Sequence, residues 1–204
     1  MKHILLGALL LLLGTTSISA QLQFGLKTGL HLNNVDLVVD DGEPAEFATN
    51  LKPQLGVWFS VPLSQRLSLQ PELLWTQKDW NSEGARDMGV RFNYFSLPVA
   101  AAYSFGNWQV TLGPELTFLL DQRFITPIGT FEESPTIEEN EFGLGVNLGL
   151  QYHLKQWVFG LRANRDLTNF ENFKITDING EPMGDAKFYH QGLTLWVGYE
   201  LLSR

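Results

Sequence analysis

Beyond residue 21 the chain alternates. Leu22, Phe24, Leu26, Thr28, Leu30 and Leu32 fall on one side of an extended backbone, and Gln23, Gly25, Lys27, Gly29 and His31 on the other. A strand repeats its side-chain direction every two residues and a helix every 3.6 or so, so this segment predicts a strand with one apolar and one polar face. The same period recurs over 51–61, 66–76, 91–104, 108–118, 141–153, 157–164 and 187–201. Within 91–104 the alternation slips at Asn93, which places that residue on the apolar side near a membrane rim or at a bulge.

The gaps between these eight segments alternate in length. Those at 62–65, 105–107 and 154–156 are short; those at 33–50, 77–90, 119–140 and 165–186 are long. Several segments reach the roughly 9–11 residues that a tilted membrane-crossing strand requires. The pattern therefore predicts an all-β, eight-stranded antiparallel up-and-down transmembrane β-barrel with tight periplasmic turns, long external loops and both chain ends periplasmic. The long gaps hold 18 acidic and 5 basic side chains, so the acidity belongs to the loops. Trp108 and Trp157 at the short-turn ends of their strands, with Tyr199 near the end of the last, are the expected lipid-interface aromatics.

The polar face decides which side is inside. It carries Lys27, Lys52, Arg66, Glu72, Glu115, Glu141, Arg162 and Glu200, interleaved with many glycines. Glycine weakens a strand unless something must approach closely, and a narrow eight-stranded lumen supplies that need. These eight charged residues are therefore expected in the barrel interior, paired with one another, and an open diffusion pore is not expected. Pro71, Pro98 and Pro114 fall within three consecutive strands, where bulges would accommodate the missing donors.

The first residues add a compartment. Met1, Lys2 and His3 precede an apolar run from Ile4 to Leu13 and a small-residue stretch ending at Ala20, the layout of an export signal and too short for a spanning helix of roughly 20 residues. Residues 1–20 are thus expected as a signal peptide and 21–204 as one outer-membrane barrel domain. The formal net charge is -8 and there is no cysteine, so neither nucleic acid nor disulfides are expected. The mature chain has no apolar run of helical-span length, and a membrane-embedded form must be a closed barrel.

Candidate chemistry is sparse. His31 and His190 would approach one another if the first and last strands met, but they lack cysteine neighbours and any metal-motif spacing, and interior packing is the ordinary role. No serine neighbours a histidine in the alternation, and Ser64 falls in a short periplasmic turn, away from the lipid leaflet that an outer-membrane lipid hydrolase attacks. Asp36, Asp40, Asp41, Glu43 and Glu46, and Glu132, Glu133, Glu138 and Glu139, match no calcium-loop pattern and read as solvated acidic faces. No catalytic residue, metal ligand or cofactor is expected, and the chain is not expected to be an enzyme. The competing architecture is a soluble exported lipocalin-like barrel, its apolar face turned inward around a small apolar ligand.

Certain short motifs also look familiar: Phe24-Gly25-Leu26-Lys27-Thr28-Gly29-Leu30, Leu69-Gln70-Pro71-Glu72-Leu73-Leu74, Tyr94-Phe95-Ser96-Leu97-Pro98-Val99, Gly113-Pro114-Glu115, Gly143-Leu144-Gly145 and Val197-Gly198-Tyr199. In this order and spacing they resemble the porin-like outer membrane β-barrel domain family common in the Bacteroidota, whose members include a barrel implicated in protein secretion. The resemblance spans residues 21–201 and implies fold and compartment, without a defined activity. The expected partners are outer-membrane lipid, periplasmic chaperones and the barrel-assembly machinery during biogenesis, and an extracellular or envelope protein meeting the acidic loops. A structural or loop-mediated binding role is the expected function.

Overall fold

The computed structural model of the chain describes residues 22–39, 47–81, 89–126, 129–131, 140–176 and 182–202. The expected signal peptide lies outside them, as do Asp40, Asp41, Glu43, Glu46, Glu132, Glu133, Glu138 and Glu139. Among the described residues there are ten strands: β1 (Gln23–Val39), β2 (Asn50–Pro62), β3 (Leu67–Asn81), β4 (Gly89–Phe105), β5 (Trp108–Thr126), β6 (Gly129–Phe131), β7 (Phe142–Leu154), β8 (Trp157–Asp166), β9 (Glu171–Thr176) and β10 (Pro182–Leu202).

Eight of these form the wall. β1, β2, β3, β4, β5, β7, β8 and β10 pair in that order, all antiparallel, and β10 returns to β1 over sixteen register pairs from Phe24↔Leu202 to Val39↔Ala186, so the sheet has no open edge. The short β6 and β9 attach to β5 and β10 within the long connections. At the other end the turns are tight: Gly106 and Lys155 each open a two-residue turn with positive φ (61° and 56°), joining Phe105 to Trp108 and Leu154 to Trp157. A β-hairpin of this length needs a positive φ at its first turn position to match the strand twist.

The wall strands are longer than the alternating segments suggest. Parts of the gaps expected as loops, among them 33–39, 77–81, 119–126 and 182–186, are strand, and the reason is a reversal of polarity along each strand. On β1 the outward side chains run Leu26, Leu30 and Leu32, then Asn34 and Asp36, while the inward ones run Lys27, His31 and Asn33, then Val35, Leu37 and Val39. β3 changes outward from Trp75 to Gln77 and inward from Lys78 to Trp80. β4 changes outward from Phe95 to Asn93, β8 from Ala163 to Arg165 and β10 from Leu193 to Gln191. These positions are neighbours in the ladder on β8–β10–β1 and again on β3–β4, so they mark a boundary on two sides of the barrel. Below it the barrel is apolar outside and polar inside; above it the arrangement inverts. Hydrocarbon outside demands the first arrangement and water outside demands the second. On β5 the apolar outward run from Trp108 to Phe118 corresponds to an apolar band roughly 25 Å tall at ordinary strand rise and tilt.

Asn93 sits at a bulge: the β4–β5 register shifts between Asn93 and Tyr94, where β5 carries one extra residue. The three prolines do not. Pairing is interrupted beside each of them, between Trp58↔Glu72 and Val61↔Leu69, between Pro71↔Val99 and Leu74↔Ser96, and between Pro98↔Glu115 and Ala101↔Leu112, yet the register on either side of each interruption is unchanged. The expected bulges are thus replaced by simple gaps in the ladder, which is what loss of a single N–H donor requires. The gaps lie side by side across β3, β4 and β5.

The boundary predicts a depth-dependent cost for charge on the outside. Leu112→Arg, at an outward site 55% exposed within the apolar band, should destabilise the barrel by about 2–4 kcal/mol, whereas Val38→Arg, 45% exposed above it, should cost less than about 1 kcal/mol. Reversible denaturant unfolding from phospholipid vesicles measures both; equal costs would contradict the boundary.

Candidate functional site

The lumen within the membrane band is a packed, charge-balanced core. Glu72 on β3 receives Lys27 Nζ at 2.8 Å and Arg162 Nη1 at 2.9 Å, and the second terminal nitrogen of the guanidinium reaches its other carboxylate oxygen. Lys27 also lies 3.7 Å above the Trp196 ring. Farther toward the long connections, Lys78 approaches Asp166 at 3.4 Å and Glu115 is buried within electrostatic reach of Lys78 and Arg162. Three cations therefore balance three carboxylates. A buried charge is tolerable only when paired, and alternation forces these side chains inward because their neighbours must face lipid. Gln151 donates to Gln70 (3.1 Å) and Gln54 to Thr76 (2.9 Å), which fills the remaining polar space.

Glycine makes room for the larger inward groups. A Cβ at Gly160 would collide with the Trp196 indole, so two neighbouring strands admit that ring only because one position is bare. Trp58, Val158 and Trp196 form an apolar cluster on the turn side of the ion pairs.

Above the polar core an aromatic cluster closes the lumen. Val35, Val90, Phe92, Tyr94, Phe170, Ala186 and Phe188 are buried together, with Phe47 and Trp80 packed against them. Phe170 stacks on His190 with centroids 4.0 Å apart and planes 9° from parallel. His190 contacts Tyr94 Oη through Nε2 (3.5 Å) and Asn33 through Nδ1 (3.4 Å), while His31 Nδ1 bonds Thr194 Oγ1 at 2.9 Å. The two histidines thus meet hydroxyl, amide and aromatic partners. Among the described residues no group of three or more His, Asp or Glu side chains is arranged to hold a metal.

Four of the eight charged residues expected inside, Lys27, Glu72, Glu115 and Arg162, converge in this core. Glu200 is buried near the turn end opposite Gly25. Lys52 is half-buried at the upper end and pairs with Asp79 at 2.5 Å. Arg66 and Glu141 are corrections: both are exposed, Arg66 in the β2–β3 turn with Nη1 donating to Tyr103 Oη (3.4 Å) and Glu141 in the bend before β7. In each case the alternation begins one residue before the strand, where the chain has not yet entered the wall. Lys78 and Asp166 were missed for the converse reason, since they lie where long loops were expected; following the alternation past Thr76 and Asn164 would have placed both inside. Trp108 and Trp157 are exposed at the turn end and pack on Tyr152 (4.8 Å) and Tyr199 (5.0 Å), and Tyr199 Oη donates to Gln156 Oε1 at 2.7 Å. The soluble lipocalin-like alternative does not hold: it needs an apolar lumen at the level where the lumen is a charge-paired core and the leucines face out.

A closed ring of eight antiparallel strands, leucine outside and paired charge inside, defines a small transmembrane β-barrel. The chain belongs to the outer membrane protein β-barrel domain family, whose model matches residues 17–172, and it is an outer-membrane protein. Its fold is similar to that of Neisserial surface protein A, at 11% identity and a TM-score of 0.51, the alignment covering 85% of this chain and 96% of that one. Ail of Yersinia pestis, in a complex with the heparin analogue sucrose octasulfate, aligns at 11% identity over 89% of this chain and 99% of its own with a TM-score of 0.48. OprG from Pseudomonas aeruginosa aligns at 13% identity over 89% and 95% with a TM-score of 0.47. A search of curated protein sequences found no match.

The core charges should behave as a unit. Glu72→Ala, which leaves Lys27 and Arg162 facing each other without a carboxylate, should cost about 3–5 kcal/mol, whereas the triple replacement Lys27→Met, Glu72→Leu, Arg162→Met should come within about 1–2 kcal/mol of the parent. Unfolding midpoints in lipid vesicles separate the two; a triple variant as damaged as the single one would show that the charges do more than satisfy one another.

Proposed function

We propose that the protein is a closed, non-conducting platform whose outer collar holds four acidic connections in water for binding a partner, with a structural share in the envelope and no catalytic step. The observation that carries the reading is the inversion of polarity above the membrane boundary. A barrel that only needed to seal a membrane could end at the boundary, whereas this one continues upward around an aromatic core and so supports its connections on a rigid base. The acidity of those connections favours a basic partner surface, since complementary charge steers association. In this reading the tight turns and both termini are periplasmic, and the chain meets periplasmic chaperones and the assembly machinery on its way to the membrane.

Three measurements test it. Purified protein in planar bilayers should give no steady ionic conductance; a sustained open level would sink the closed platform. Cells displaying the barrel should adhere to a polylysine surface and not to heparin, and Gln at Glu132, Glu133, Glu138 and Glu139 together should weaken that adhesion; adhesion unaffected by the change would remove the loops from the function. A cleavable tag at the C-terminus should survive protease treatment of intact cells, and its loss would reverse the orientation.

A further inference from the structure

At the turn end the lumen opens into a cavity of about 180 Å³ beside the β2–β3 turn. Gln23 of β1, Ser68 of β3, Ser104 of β4 and Gln109 of β5 line it, and the exposed Ser64 and Arg66 of the turn stand at its mouth. Among the described residues no aspartate or glutamate lines it; Glu200, inward on β10 opposite Gly25, lies outside the lining. The volume is the share of about six molecules in liquid water, room for one small terminal group and less than the roughly 300–1,000 Å³ of a site for a larger ligand.

The hydroxyls are arranged to give hydrogen bonds, not to take them. Ser64 Oγ already accepts from the backbone N–H groups of Arg66 (3.4 Å) and Leu67 (3.1 Å), and Ser104 Oγ accepts from Gln109 Nε2 (3.0 Å). A hydroxyl has one hydrogen and two lone pairs, so both serines keep an O–H for a further acceptor. Ser68 is 8% exposed, and its Oγ is enclosed without a hydrogen-bond partner among the described residues. A buried hydroxyl left unpaired is unfavourable, and an acceptor entering the cavity supplies the missing bond. Arg66 adds charge. Its guanidinium meets no carboxylate among the described residues; Nη1 donates to the neutral Tyr103 Oη at 3.4 Å, which leaves the cation free to turn toward an anion at the mouth.

We propose that this cavity binds the C-terminal carboxylate of a peptide, with Ser64, Ser68 and Ser104 donating to its oxygens and Arg66 closing over it from the rim. One guanidinium and a set of neutral donors match a single negative charge, and the guanidinium fork fits the two oxygens of a carboxylate. The Gln23 and Gln65 amides, each with a donor and an acceptor, complement the peptide groups that precede the carboxylate. The site lies at the opposite end of the barrel from the acidic connections and is independent of what they bind. With the orientation proposed above, its ligand is periplasmic.

The test titrates the folded, detergent-solubilised barrel with acetyl-Ala-Ala bearing a free carboxylate and follows backbone amide resonances by NMR. Saturable shifts should appear at Ser64, Ser68 and Ser104 and not at Lys155 or Gln156 in the β7–β8 turn. The same dipeptide capped as a C-terminal amide should bind about tenfold or more weakly, and Arg66→Gln should weaken binding of the free acid about tenfold, as loss of a charge-assisted hydrogen bond does. Ser68→Ala should weaken it about threefold or more, while Lys155→Gln leaves it within about twofold. Arg66 is exposed, so its replacement leaves the fold intact and decides the matter if Ser68→Ala does not fold. The site is overturned if the capped dipeptide binds as well as the free acid, if Arg66→Gln or a folded Ser68→Ala binds like the parent, or if Lys155→Gln is equally harmful. Displacement of the dipeptide by an equal concentration of inorganic phosphate would also overturn it, by marking a general anion site.

Discussion

The hydrogen-bonded seam between β1 and β10 is the constraint on which the rest of the molecule depends. Inside hydrocarbon an unpaired backbone N–H or C=O has no water to turn to, and a sheet with an open edge carries a row of them. Closing the ring over sixteen register pairs removes both edges at once. Once the ring is closed, every strand has one face toward lipid and one toward a lumen only a few side chains wide, and the alternation of the sequence has a single consistent solution.

Within that solution the lumen is where charge must be reconciled. Lys27, Glu72 and Arg162 come from β1, β3 and β8, three strands far apart in sequence, and meet because a small barrel brings opposite walls within side-chain reach. Coulomb attraction in the interior offsets desolvation only with close geometry, and the two-cation grip on one carboxylate supplies it. The aromatic cluster above solves a different problem. There the outside is water, so burying Phe92, Phe170 and Phe188 inward is favourable, and the barrel becomes in effect a small water-soluble β-barrel stacked on a membrane one. Together the two storeys fill the interior between the described wall strands with packed side chains.

The exterior is layered in the same way. Exposed tryptophan and tyrosine mark the turn end, leucine and phenylalanine the middle, and amide and ion-paired side chains the collar. Each layer matches the solvent at its depth, and the prolines of β3, β4 and β5 sit within the middle layer at the cost of isolated gaps in the ladder, without a change of register. Surface ion pairs such as Arg165–Asp36 contribute little stability by themselves.

Alternation alone was enough to read the eight wall strands, the order of short and long connections, the outward leucines and the inward Lys27, Glu72, Glu115 and Arg162, because period two survives any packing as long as each face meets a uniform medium. It misread the ends of elements. Arg66 and Glu141 carry the pattern one residue ahead of the point where the backbone joins the wall, and local sequence does not mark that point. Only the tertiary structure decided how far the strands rise beyond the membrane, because there the surrounding medium changes and the same alternation carries the opposite meaning: Val35 and Phe188 point in for the reason that Leu30 and Leu195 point out. It likewise decided which charges meet, Lys78 with Asp166 and Arg91 beside Arg123, since register and closure set those contacts and no spacing along the chain encodes them.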